Sequence, residues 1–392
     1  MTANPSLLDP AALKAAASAA TGLGNFGEPS FEEPLAILCR SLREEANLSP
    51  EGLEGQHQRL VALLSQRLLL EEWIRREPAI AEEEIAAPVF IVGLPRTGTT
   101  VLYRMLAVAE GFVAPLHYQA VEPAPALDWN FSAASDPRIP RAEAAIAAMV
   151  AASPELNAIY PFEALAPEES IYLLSPALRC TSAPSLALVP SYHQWFLGCD
   201  KGPAYRYLRR TLQLLQWQQR RLDPQLGPRR WLLKTPDHIH SLGELIAEFP
   251  TARVIQTHRD PLQTIPSICS FIRALHLMST PEPDPLAIGD SWCNMFAASM
   301  TKAMAIRRRH PGVFCDIQFA DTVARPRQVA EEIFAFLGRE LTEPVWAEME
   351  KWREANQREA RPAHDYQLAD FGLSESRIRE QFAAYRDHYV RS

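Results

Sequence analysis

The chain has 392 residues, 47% of them hydrophobic, enough to bury one large core or two modest ones without disulfide or metal staples. Lys plus Arg number 39 against 47 Asp plus Glu, a net charge of −8. That balance excludes a generic nucleic-acid coat and a polybasic membrane anchor, and leaves room for a local basic site that takes a small anion. Residues 1–87 read as helical, and the leucines of Gln56–Trp73 (Leu60, Leu63, Leu64, Leu68, Leu70) suit one buried helix face. Glu82–Glu84 reads as a solvated run. The character changes at Pro88-Val89-Phe90-Ile91-Val92, a short apolar run closed by Gly93, the pattern of a strand buried on both faces. Similar runs follow at 231–233, 252–257 and 313–317, separated by helical patterns such as Leu242–Phe249 and Val329–Leu337. Strands alternating with helices predict an α/β fold with a mostly parallel central sheet flanked by helices. The expected organisation is a helical N-terminal extension over 1–87 and an α/β core over 88–340. An insertion over about 110–228 covers the sheet, and a helical tail over 341–392 packs on the core.

The six cysteines are scattered, with no CxxC and no Cys/His cluster at zinc spacing, so neither a disulfide framework nor a metal is expected. No apolar run reaches the roughly 18 residues of a membrane span. The opening Met-Thr-Ala-Asn-Pro lacks the early positive charge of a secretory signal. The expectation is a cytoplasmic protein, compatible with a homo-oligomer and needing no nucleic-acid partner. The 33 prolines come mostly singly, which suits firm loops.

The sharpest feature is Gly93-Leu94-Pro95-Arg96-Thr97-Gly98-Thr99-Thr100, between a buried strand and the helix start Val101–Leu106. The two glycines have the spacing of a GxxxxGK[ST] phosphate loop, where backbone N–H groups and the helix dipole face one anion. The lysine of that motif is replaced by Thr99, and a cation stands three residues earlier, at Arg96. A nucleoside-triphosphate kinase needs that lysine and a magnesium carboxylate. A shorter 5′ group with no obligatory metal fits better, clamped by Arg96 and by the hydroxyls of Thr97, Thr99 and Thr100. The run at 252–257 ends in His258-Arg259-Asp260-Pro261, and ligands of open parallel sheets sit beyond the carboxyl ends of strands. That rule puts Arg259 on the same edge as the loop, with Ser267 in the following helix, as a site for a second phosphate.

With GLPRTGTT, WLLKTPDHI and FPTARVIQTHRDPLQTIPS in this order, the chain resembles the bacterial sulfotransferases over about 88–275, and again at His364–Leu373. The resemblance implies a P-loop-like sulfotransferase fold. It implies that 93–100 is the 5′-phosphosulfate loop for the donor 3′-phosphoadenylyl sulfate (PAPS), with 3′-phosphoadenosine 5′-phosphate (PAP) as product. It also implies that Arg259 and Ser267 hold the 3′-phosphate. Tyr366 and Phe371-Gly372-Leu373 match the family's tail motif; the match is compatible with closure over the donor or the acceptor entrance and equally with packing of the C-terminal helix.

Sulfuryl transfer needs a base for the acceptor hydroxyl and donors for the leaving oxygen. Arg96 and Lys234, in Leu233-Lys234-Thr235-Pro236, suit the second role. The family's usual carboxylate falls at Gln119, which takes no proton at neutral pH. The substitutes, in order, are His117, Glu122 and His238, with Glu169 a further carboxylate. The aromatics of the insertion, from Tyr118, Trp129 and Phe131 through Tyr160, Phe162 and Tyr172 to Tyr192, Trp195 and Phe196, point to a small apolar or aromatic hydroxyl acceptor. The rival reading is a catalytically impaired PAP- or PAPS-binding protein of the same fold, favoured by Gln119.

Overall fold

The computed structural model describes residues 5–131, 136–152, 162–225, 227, 229–356 and 367–390. Five parallel strands form one sheet in the order β2-β3-β1-β4-β5. They are β1 (Val89–Gly93), β2 (Phe112–Val113), β3 (Arg230–Lys234), β4 (Arg253–His258) and β5 (Phe314–Gln318). The four apolar runs read from the sequence are β1, β3, β4 and β5. The edge strand β2 is an addition, and it lies inside the segment expected only to cover the sheet. Its two residues are too few to carry a periodic signal, and its pairing with Arg230 and Trp231 defines it.

The continuous hydrophobicity of β1 follows from its central place. Phe90 and Val92 point into one core, and Val89 and Ile91 into another. β3 divides in the same way, with Trp231 and Leu233 on the first face and Leu232 on the second. The first face is covered by the N-terminal helices, most of the 110–228 segment, the helices Pro261–His276 and Pro285–Arg309, and the tail. The second is covered by the helices Thr99–Ala107, Pro326–Phe336 and Glu343–Ala355. The stretches 5–87 and 367–390 therefore share one core with the sheet.

The helix expected at Gln56–Trp73 runs over Pro50–Arg76. Its start is set by Ser49, whose hydroxyl accepts from the Gly52 N–H at 2.9 Å, with Pro50 at the first helical position. Leu60, Leu64 and Leu68 lie on its buried face. Tyr160 and Tyr366 lie outside the described residues. Phe371 and Leu373 are buried in the first core, against the helix Pro285–Arg309. Among the described residues no helix is long and apolar enough to cross a membrane.

Phe90 is fully buried, with the rings of His238 and Phe249 at 5.0 and 5.5 Å between centroids. Phe90→Ala is expected to cost about 3–5 kcal/mol of unfolding free energy, read from the urea midpoint; a loss below about 1 kcal/mol contradicts this account of the core.

Candidate functional site

β1 ends in Gly93, paired with Thr257 of β4. A Cβ at Gly93 would lie 2.7 Å from the Thr257 carbonyl oxygen, and Gly93 has φ 150, so only glycine lets the loop leave the sheet here. Gly98 has φ 80 and begins the helix Thr99–Ala107, where a Cβ would sit 2.8 Å from the Phe319 ring. Arg96 adopts φ 68, a conformation that costs a non-glycine residue of order 1 kcal/mol or more. Its carbonyl is held by Arg259, whose Nη1 donates to it at 2.9 Å. The hydroxyl of Thr97 is fully buried; it donates to the Leu94 carbonyl at 2.7 Å and meets the Thr257 hydroxyl at 2.6 Å. That hydroxyl braces the loop, so an anion in the loop would meet the Thr97 backbone rather than its side chain.

The loop and the end of β4 are in direct contact. Arg96 Nε donates to Ser267 Oγ at 3.2 Å. Arg259 Nε donates to Gln263 at 2.8 Å, and its guanidinium lies 4.2 Å from the Phe319 ring centroid. The flanking residues are anchored elsewhere. His258 contacts Asp316 at 2.7 Å and the Tyr385 hydroxyl at 3.1 Å, and stacks on Tyr389 at 4.7 Å. The carboxylate of Asp260 accepts from the Leu262 N–H at the start of helix Pro261–His276, and from Arg386 at 2.9 and 3.1 Å. The tail helix Ala383–Tyr389 thus grips both neighbours of Arg259.

On the other side of the loop, Thr100 accepts from Lys234 Nζ at 3.1 Å. Lys234 is fully buried at the end of β3 and pairs with Glu169 at 2.5 Å. The preceding residue, Glu168, is buried and meets His117 Nδ1 at 2.9 Å. The Tyr103 hydroxyl, from the helix that follows the loop, donates to the Glu168 carbonyl at 3.0 Å. A continuous line of contacts therefore joins the loop to His117. The rings of Phe162 and Tyr172 stand edge-on to His117 at 6.0 and 5.9 Å.

The two other candidates are committed to partners of their own. Glu122 ends the helix His117–Val121 and pairs with Arg141 at 2.6 Å on the surface. His238 is fully buried, with Nε2 on the Ser170 hydroxyl at 2.9 Å and Nδ1 on the Tyr205 hydroxyl at 2.8 Å. Burial pushes its pKa down to about 3, so it is a weak base with both nitrogens occupied, a scaffold residue. Gln119 is also structural: its side-chain oxygen accepts from the Leu116 N–H at 3.1 Å and closes the helix start. Most of the insertion's aromatics are core. Trp129 and Phe131 are 4.6 Å apart against Trp73 and Trp217, and Tyr192 and Phe196 are fully buried.

Sequence reasoning missed Glu168 in favour of its neighbour Glu169. The signal was the adjacent pair of carboxylates after Pro167, which meet different partners, His117 and Lys234.

The chain belongs to the sulfotransferase family, whose model matches residues 88–343. It is similar to the crystal structure of sulfotransferase STF1 from Mycobacterium tuberculosis H37Rv, at 28% identity and TM-score 0.82, over 95% of this chain and 98% of that one. It shares its fold with sulfotransferase STF9 from Mycobacterium avium, at 23% identity and TM-score 0.87, over 97% of each chain. No curated protein matches the chain.

Burial holds His238 and His193 neutral, with pKa values lowered from 6.5 to about 3 and about 4. Each therefore gains a proton on unfolding between pH 6.5 and those values, and stability falls as the pH drops through that window. The expected slope is up to about 1.4 kcal/mol per pH unit for each histidine. Urea unfolding from neutral pH down to about pH 5 checks this; a flat profile contradicts it, and His238→Asn should reduce the slope.

Proposed function

We propose that this sulfotransferase transfers the sulfuryl group of PAPS to a hydroxyl of a small apolar or aromatic acceptor. The observation that carries the reading is the Arg96–Ser267 contact, reinforced by Arg259 on the Arg96 carbonyl. It joins a glycine-bounded loop without the triphosphate lysine to a second cationic group on the neighbouring strand's end, which supports a ligand carrying two anionic groups. The residues fit that carrier: Gly93 and Gly98 let the loop pack against Thr257 and Phe319 at positive φ, and the helix Thr99–Ala107 presents its positive end. In this reading the amides of 96–100 and Arg96 hold the 5′ end, with the Thr99 and Thr100 hydroxyls. Arg259 and Ser267 hold the 3′-phosphate.

The bound donor supplies the sulfuryl group, which passes in line from the bridging phosphate oxygen to the acceptor oxygen. Lys234, beside Thr100, faces the negative charge that develops as the S–O bond breaks. His117 accepts the acceptor's hydroxyl proton as the new O–S bond forms. Support for His117 over Glu122 and His238 comes from its contact with the buried Glu168 carboxylate, and from their commitment to a surface pair and to a buried scaffold. Phe162 and Tyr172 around His117 support an acceptor with an apolar, planar body.

The second reading, a PAP-binding protein without turnover, is favoured by Gln119 at the family's carboxylate position. Both readings predict calorimetric binding of PAP, weakened at least about tenfold by Arg96→Ala or Arg259→Ala, since a hydrogen bond to a charged group contributes about 1.5–3 kcal/mol. The absence of heat with PAP sinks both. They part on turnover of PAPS with a panel of alcohols and phenols. His117→Ala should lower turnover at least about a hundredfold while leaving PAP affinity within about twofold; an unchanged rate removes His117 from the reaction.

A further inference from the structure

We infer that Glu168 is a positioning residue for His117: it fixes the imidazole in the form protonated at Nδ1 and steadies the cation that forms when Nε2 takes a proton. The inference rests on the reading of His117 as base. Glu168 is 1% exposed, and one carboxylate oxygen lies 2.9 Å from His117 Nδ1. The other accepts from the Glu169 N–H at 2.7 Å. Its backbone is tied as firmly. The Glu168 N–H donates to the Pro115 carbonyl at 2.8 Å, and the Tyr103 hydroxyl donates to the Glu168 carbonyl at 3.0 Å. The His117 N–H donates to the Ala166 carbonyl at 3.0 Å, so the two partners are held on opposed backbone segments.

A carboxylate only accepts hydrogen bonds, so Nδ1 must donate, and Nε2 is left with the lone pair. When the acceptor's proton moves to Nε2, a positive charge forms on the ring beside the Glu168 carboxylate, in a buried setting where their attraction is little screened. The other charges near this ring come in pairs, Lys234 with Glu169 at 2.5 Å and Arg104 with Glu163 at 3.9 Å. The phenols Tyr103 and Tyr172 are kept neutral, their pKa values raised by burial. Glu168 is thus the carboxylate in direct contact with the imidazole.

The test uses the full chain with 15N-labelled histidine, observed by long-range 1H–15N NMR, with His117→Ala to assign the signal. The wild-type protein should show His117 protonated at Nδ1 while neutral. In Glu168→Leu, which keeps the volume and removes the acceptor, the neutral ring should lose that preference and populate the Nε2-protonated form. The kcat for PAPS with 2-naphthol should fall at least tenfold, with KM for PAPS within about twofold. Glu168→Asp, which keeps an acceptor-only carboxylate, should recover the Nδ1-protonated form and part of the rate. An Nε2-protonated ring in the wild type, or a ring still protonated at Nδ1 in Glu168→Leu, overturns the inference. A changed tautomer with an unchanged rate upholds the contact and overturns instead the reading of His117 as base.

Discussion

The structure turns on the pairing of β1 with β4 that sets Gly93 opposite Thr257. At that register the backbone oxygen and the side-chain hydroxyl of Thr257 both occupy the space a Cβ on Gly93 would need. The anion loop and the His258-Arg259-Asp260-Pro261 turn therefore leave the sheet side by side. The Thr97–Thr257 hydroxyl contact and the Arg259–Arg96 hydrogen bond follow from this closeness. A one-residue slip would send Phe90 and Val92 to the wrong core and separate the two cationic groups.

Around this junction, consecutive residues have different tasks. In the turn after β4, His258 and Asp260 face the tail, while Arg259 faces the loop. In Pro167–Ser170, Glu168 faces His117, Glu169 faces Lys234 and Ser170 faces His238. Two short segments, whose successive residues meet different partners, connect the 93–100 loop, the end of β3 and the base candidate. The surrounding helices supply the packing that fixes these segments in place.

The sequence carried the sheet and the loop well, because both leave local marks. A strand buried on both faces must be apolar throughout, as β1 is, and a loop that nears another strand's backbone must use glycine, as at Gly93. The position of Arg259 followed from the general rule about carboxyl ends of parallel strands. What depended on three-dimensional surroundings was not legible. His238 and His117 look alike as residues; one is sealed between Ser170 and Tyr205, and the other touches a carboxylate. Glu122 stands three residues after Gln119 and meets Arg141 instead of the loop. The choice between Glu168 and Glu169 depends on which partner each meets across the fold, His117 or Lys234. β2 escaped notice because its two residues carry no pattern.

The double restraint on Arg96 and Arg259 bears on how these side chains would meet an anion. Each guanidinium is tied to protein partners, Arg96 to Ser267 and Arg259 to Gln263 and the Arg96 carbonyl. Long side chains on a free surface lose about 0.5–1.5 kcal/mol of rotational freedom when a ligand immobilises them. Side chains already held by their neighbours have less of that freedom to lose, so a ligand would be selected by its fit to the two guanidinium groups rather than by their rearrangement.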